Sequence, residues 1–200
     1  MMNIAIFASG RGTNFSAIVR AAKLGKIAAK VSLLVCDNPK ALVIKKAKRA
    51  GVEVFLIKRS DFTGRDDFED KIIQRLGEAG IGLIVLAGFM RLLGPRLIQK
   101  FKSKILNIHP AILPSFKGAH AIGDAFNYGI KVTGVSVHFV DEEMDHGPII
   151  LQRAVKIDQA ETLESLESKI HKIEHKIYPE AIKLFIEGRL KVEGRKVKIL

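Results

Sequence analysis

The chain alternates short apolar runs with stretches in which apolar residues recur every three or four positions, the pattern of strands feeding helices. The first run, residues 3–8, stops at Ser9-Gly10-Arg11-Gly12-Thr13-Asn14, and behind it Phe15, Ile18, Val19 and Ala22 share one helical face. Residues 31–36 predict a second strand, 41–50 a helix closed by Gly51, and 52–57 a third strand. Residues 66–76 carry Phe68, Ile72, Ile73 and Leu76 inward. Residues 82–88 are continuously apolar, as in a central parallel strand covered on both faces. A short helix over 95–100 and a strand over 105–108 extend the series. Repeated strand–helix units predict an α/β fold, a doubly wound, mostly parallel twisted sheet with right-handed crossovers.

The period changes after Pro114. Over 131–141, Val132, Gly134, Ser136 and His138 fall on one side, and Thr133, Val135, Val137 and Phe139 on the other. An acidic turn and a further strand over 149–157 complete a long hairpin on the sheet. Residues 162–187 form a long helix with Leu163, Leu166, Ile170, Ile173 and Ile177 on its apolar face, expected to kink or restart at Pro179. Residues 190–199 read as a terminal hairpin turning near Glu193-Gly194. The expected fold therefore ends in an antiparallel section and a long C-terminal helix. There are no repeats or evident linkers, so residues 1–200 are expected to form one domain.

Several spots along this pattern carry candidate chemistry. Asn107 and His109 are two apart on one strand, so they leave it on the same side, at the carboxyl end where open α/β sheets bind ligands. Two satisfied structural groups would look the same. The Gly10–Asn14 turn sits between strand and helix, a geometry that aims free N–H groups at an anion, with Thr13 or Asn14 available to cap the helix. It fits the dinucleotide fingerprint only in part. Phe15 occupies the third glycine position, while Asp37 could imitate the ribose-binding acid, so a single phosphate fits better than a dinucleotide. Arg65 opposes the dipole at the start of its helix, which hints at a ligand role. The apolar loop after residue 88, with Arg91 as its one arginine, can line a pocket with a single anchoring charge. His171-Lys172-Ile173-Glu174-His175 matches H-x-x-E-H, a zinc-peptidase pattern. A third ligand would have to come from Glu180, Glu187 or far upstream, and solvated helix histidines are the preferred reading.

Composition narrows the partners. At 48% hydrophobic and 27% charged residues, the chain is an ordinary globular sequence. No apolar run is long enough to span a bilayer, and no secretory leader is evident at the N-terminus, so no membrane partner is expected. The lone Cys36 precludes an internal disulfide and suits a cytoplasmic protein. The net charge of +12 favours anionic partners. The lysines are spread along the chain and only two Tyr and no Trp are available for base stacking, so small phosphate- or carboxylate-bearing molecules are expected rather than nucleic acid. A monomer and a homodimer are both compatible with the sequence.

Four blocks, taken together, resemble a known family: Asn107-Ile108-His109-Pro110-Ala111-Ile112-Leu113-Pro114, Gly118-Ala119-His120, Gly134-Val135-Ser136-Val137-His138-Phe139-Val140 and Asp145-His146-Gly147-Pro148-Ile149-Ile150. They are similar to the signature blocks of the folate-dependent formyltransferases, a Rossmann-like fold. Leu86-Ala87-Gly88-Phe89-Met90-Arg91 and Ser9-Gly10-Arg11-Gly12-Thr13-Asn14 narrow the likeness to the purine-pathway branch, and it extends in order over nearly the whole chain.

The resemblance implies a formyltransferase with 10-formyltetrahydrofolate as co-substrate, 5-phosphoribosylglycinamide as acceptor and no metal. It implies that Asn107 hydrogen-bonds the developing oxyanion, a preorganised donor contributing about 3–4 kcal/mol. His109 is then the general acid, and Asp145 the carboxylate that favours its imidazolium form and relays protons through water. Gly12, Thr13 and Asn14 would hold the substrate phosphate, with Glu174 a further substrate contact. Met90, Arg91, Leu92, Leu93, Val140 and Asp141 would form the folate pocket with Asn107, and Arg65 would touch the folate. Residues 1–100 become a phosphate-binding half, and 101–200 a folate-binding and catalytic half. Two spots depart from the family's common wording: His146 stands where glycine is frequent, and Ser115-Phe116-Lys117 replaces the usual segment before Gly118. Two other family activities compete. A methionyl-tRNA formyltransferase is expected to carry a further C-terminal RNA-binding domain, and a formyltetrahydrofolate hydrolase an N-terminal regulatory segment. A non-enzymatic nucleotide-binding module would leave Asn107, His109 and Asp145 unexplained.

Overall fold

Each apolar run of the first half becomes a parallel strand: β1 (Met2–Phe7), β2 (Ala29–Cys36), β3 (Glu53–Leu56), β4 (Leu83–Leu86) and β5 (Ile105–His109). The structure is a computed structural model that describes residues 1–200. Between these strands run α1 (Thr13–Lys23), α2 (Leu42–Ala50), α3 (Arg65–Glu78) and α4 (Pro95–Lys100). Then come α5 (Ala121–Tyr128), β6 (Val132–Phe139), β7 (Ile149–Lys156), α6 (Leu163–Ile186), β8 (Leu190–Glu193) and β9 (Lys196–Ile199). One sheet holds all nine strands in the order β3-β2-β1-β4-β5-β6-β7-β9-β8. β6 and β7 run antiparallel beside β5, which gives the mixed sheet expected from the change of period.

Strand alternation splits the core in two. Ile4 and Ile6 face a cluster shared with α1, α2 and α6, whereas Ala5 and Phe7 face a second cluster shared with α3 and α4. Reversal of strand order between β1 and β4 leaves a crevice at the carboxyl ends of these strands, where ligands bind in such sheets.

One local expectation needs correction, at the start of α1, and two others are sharpened. α6 is one continuous helix with Pro179 inside it, not two helices. Ile177, Tyr178, Ala181 and Ile182 are buried on both sides of the proline, and that packing holds the two halves together at the expense of one backbone hydrogen bond. Neither Thr13 nor Asn14 caps α1. Gly12 occupies the cap position at φ 67°, no side chain accepts from the helix start, and the Asn14 amide turns instead to Glu174 of α6 at 3.0 Å. The terminal hairpin forms where expected, and β9 also pairs in parallel with β7 at Ile149 and Lys196, which extends the sheet.

Candidate active site

β5 delivers Asn107 and His109 to one side of its carboxyl end, as alternation requires. The turn between β6 and β7 brings Asp145 to meet them. Asp145 adopts φ 50°, a left-handed conformation that Asp tolerates better than most residues but that surrounding contacts must hold. Those contacts are explicit. Oδ2 of Asp145 accepts from the Gly118 backbone N–H at 2.9 Å and lies 3.4 Å from His109 Nδ1. Oδ1 accepts from Asn107 Nδ2 at 3.3 Å.

Hydrogen bonding defines the protons on the two histidines. His109 Nε2–H donates to the Phe116 carbonyl at 2.7 Å, which turns Nδ1 towards the Asp145 carboxylate. A protonated His109 would therefore have an acceptor at each nitrogen. His138 is a fourth member of the cluster. Its Nδ1–H donates to the Phe139 carbonyl at 2.7 Å, leaving Nε2 to accept from Asn107 Nδ2 at 3.1 Å. Burial pushes the Asp145 carboxyl pKa up, yet His138, the Gly118 N–H and the charge of His109 together hold it below its usual 3.8. His138 Nε2 and Asp145 Oδ1 are 3.8 Å apart, beyond direct hydrogen-bond reach, and the Asn107 amide donates to both.

A cavity of about 720 Å³ opens over this cluster and runs along the strand ends. One end is lined by Gly12, Thr13 and Asn14. Because no side chain caps α1, its first N–H groups remain available to an anion. Gly12 is required there twice over: its φ is positive, and a Cβ would lie 2.6 Å from the Val43 side chain. Glu174, buried on α6, faces the same end, held by Asn14 and by His171 Nδ1 at 2.9 Å. The hydrogen bond to Glu174 raises the His171 pKa above its usual 6.5. His171 and His175 stack, with ring centroids 6.5 Å apart.

The other end of the cavity is lined by Met90, Arg91, Leu92, Leu93, Val140 and Asp141. Met90 and Leu92 are large, apolar and exposed, and they give this end of the cavity an apolar wall. Arg65 does not line the cavity. Its Nη2 donates to the Leu92 carbonyl at 2.9 Å and its Nε to Glu69 at 3.2 Å, while buried Glu69 also accepts the Gly94 N–H. Arg65 therefore supports the 89–94 loop from behind. Arg91 is likewise tied back, with Nε 2.5 Å from Asp37, which also accepts from Ser9 at 2.5 Å. That engagement leaves Asp37 poorly placed to serve as a ribose-binding acid.

Reading the sequence brought together Asn107, His109, Asp145, the glycine loop, Glu174 and the two cavity-lining loops. It missed His138 as a member of the cluster. The available signal was its place beside Ser136 in the polar set of β6, directly across the ladder from Asn107.

The family model described as "Formyl transferase" matches residues 2–182. Phosphoribosylglycinamide formyltransferase of Bacillus subtilis (strain 168) is 48% identical over 183 residues, 92% of this chain and 94% of that protein. The crystal structure of glycinamide ribonucleotide transformylase 1 from Symbiobacterium toebii superposes with a TM-score of 0.97 at 42% identity, covering 100% of this chain and 94% of that one. The corresponding structure from Geobacillus kaustophilus gives 0.91 at 48% identity, over 93% and 99% of the two chains. A formyl-transferase match across nine-tenths of the sequence, relatives of the same length and a shared fold lead to one conclusion: the chain belongs to the formyl transferase family.

Proposed function

We propose that the protein transfers the formyl group of 10-formyltetrahydrofolate to the glycinamide amine of 5-phosphoribosylglycinamide, a step of purine biosynthesis. The observation that carries this reading is the meeting of Asn107, His109 and Asp145 in one cavity that also reaches an uncapped helix start. The relatives named above support the choice of acceptor.

In this reading the substrate phosphate lies on the N–H groups after Gly12, with Thr13 and Asn14 beside it and Glu174 contacting the sugar side. The folate lies between the 90–93 loop and the Val140-Asp141 turn, and Arg65 acts by shaping that loop. The amine attacks the formyl carbon, forming a C–N bond and an oxyanion. Asn107 donates to that oxygen by releasing its longer bond, the one to Asp145, while the bond to His138 keeps the amide oriented. His109, protonated and backed by Asp145, stabilises the same charge. Asp145 then passes the amine proton through water towards the departing folate nitrogen as its bond to the formyl carbon breaks. This chemistry assigns no role to a metal ion. It divides the work between residues 1–100, which hold the phosphate, and 101–200, which supply the catalytic groups. The lone buried thiol of Cys36 suits the cytoplasm.

Mixing purified protein with both substrates and following the folate product by absorbance tests the reading. Release of formate without acceptor, or formylation of charged tRNA instead, would overturn it.

A further inference from the structure

The turn that carries Asp145 is held from two sides, and only the inner side belongs to the reacting cluster. It is a tight turn: a Cβ at Gly147 would collide with the Phe139 carbonyl, and Asp145 itself is left-handed. On the outer side stands His146, where the family resemblance has a glycine. His146 Nδ1 lies 2.9 Å from Asp141 Oδ2, and Nε2 lies 3.8 Å from Glu143. Arg195 reaches the same residue from the terminal hairpin. Its Nη2 donates to the His146 carbonyl at 2.6 Å. Its Nη1 lies 2.8 Å from Nε2 and 3.3 Å from Nδ1, so the guanidinium rests against the ring rather than on one lone pair.

Topology makes this meeting reproducible. β9 joins β7 at Ile149 and Lys196, immediately after the turn on one strand and immediately after Arg195 on the other. Lys191 and Lys198 of the same hairpin are spent on Glu193, whereas Arg195 forms no ion pair with a carboxylate. The hairpin lies beyond residues 2–182, the portion matched by the family model.

We propose that Arg195 and His146 are positioning residues, a strap by which the terminal hairpin holds Asp141 and Asp145 in the arrangement that transfer requires. This inference rests on the function proposed above. Solvent screens each contact, so the strap adds little to global stability. Its effect is geometric, because reacting groups tolerate little displacement.

The test compares R195A, R195K, H146G and the R195A/H146G pair in the full chain. Steady-state kinetics gives kcat and the KM of each substrate, and hydrogen exchange reads the amides of residues 141–147. In R195A the donor KM should rise and kcat fall, together by about tenfold in kcat/KM, short of the ~10²-fold that a ~1 Å misplacement brings. The acceptor KM should stay unchanged, the turn amides should exchange faster, and R195K should recover part of the loss. The double variant should lose less than the sum of the two single losses, because both changes cut the same strap. Wild-type kcat and donor KM in R195A, or losses that simply add in the double variant, would overturn the proposal. If the protein transfers no formyl group, the functional reading falls separately. Faster exchange of the turn in R195A would then still support the strap, and unchanged exchange would overturn it.

Discussion

Asp145 Oδ2 lies 3.4 Å from His109 Nδ1 and 2.9 Å from the Gly118 N–H, so one carboxylate oxygen both faces the histidine and anchors the loop before α5. Asn at position 145 keeps the shape but removes the charge. D145N is expected to lower kcat by at least about 100-fold, the usual scale for a lost acid–base group. Its Tm should move by no more than about 2–4 °C, equivalent to about 1 kcal/mol in a chain of this size. Wild-type turnover in this variant would remove Asp145 from the mechanism.

The same carboxylate makes stability depend on pH. Its folded pKa is depressed below the usual 3.8, so folding favours the ionised form. The contribution is fully present above the unfolded value and is lost as pH falls through the folded one. Urea melts between neutral pH and pH ~3 should therefore show a steeper acid loss for wild type than for D145N below about pH 4. Parallel curves would contradict the assignment of a depressed pKa to Asp145.

Glu69 supports the 89–94 loop from the protein interior, accepting the Gly94 N–H and facing Arg65. E69A strands a buried backbone donor, a loss of about 1–3 kcal/mol. The urea midpoint should fall and the donor KM should rise, because Leu92 and Leu93 lose their support. R65A acts from a half-exposed side chain but removes the cation facing buried Glu69, so it should raise the donor KM and also lower the midpoint. An E69A protein with wild-type donor KM would detach this loop from donor binding.

At the phosphate end, G12A introduces a Cβ into the Val43 side chain at a residue with positive φ. The acceptor KM should rise more than tenfold while the donor KM changes little, since the helix start that would bind the anion is displaced. Nearby, the His171 pKa is raised above 6.5, so its contribution to stability is present below 6.5 and lost as pH rises through the folded value. H171Q should flatten that decline in a melt series through neutral pH, and an unchanged decline would assign it to other groups.

Periodicity revealed most of the fold. Buried strands such as Leu83–Leu86 are continuous apolar runs, and α4 matches the expected span residue for residue. Pairing Asn107 with His109 needed only alternation along one strand. Bringing Asp145 to them is a long-range fact, 38 positions from Asn107, which the family resemblance implied and local pattern could not supply. His138 was overlooked because a polar residue in a hairpin strand reads as solvent-facing, yet both faces of β6 are buried. Arg65 illustrates the opposite limit. Its conflict with the helix dipole was visible, but its partner, the Leu92 carbonyl, belongs to a distant loop. Pro179 shows tertiary packing overriding a local breaker.

The most direct test follows the formyl carbon itself. Donor labelled with ¹³C in the formyl group is mixed with 5-phosphoribosylglycinamide and enzyme, and the label is tracked by NMR. The expected result is stoichiometric transfer of the label to the glycinamide nitrogen with wild type, and none over the same interval with D145N. Label appearing as free formate, or transfer by D145N at the wild-type rate, would contradict the account.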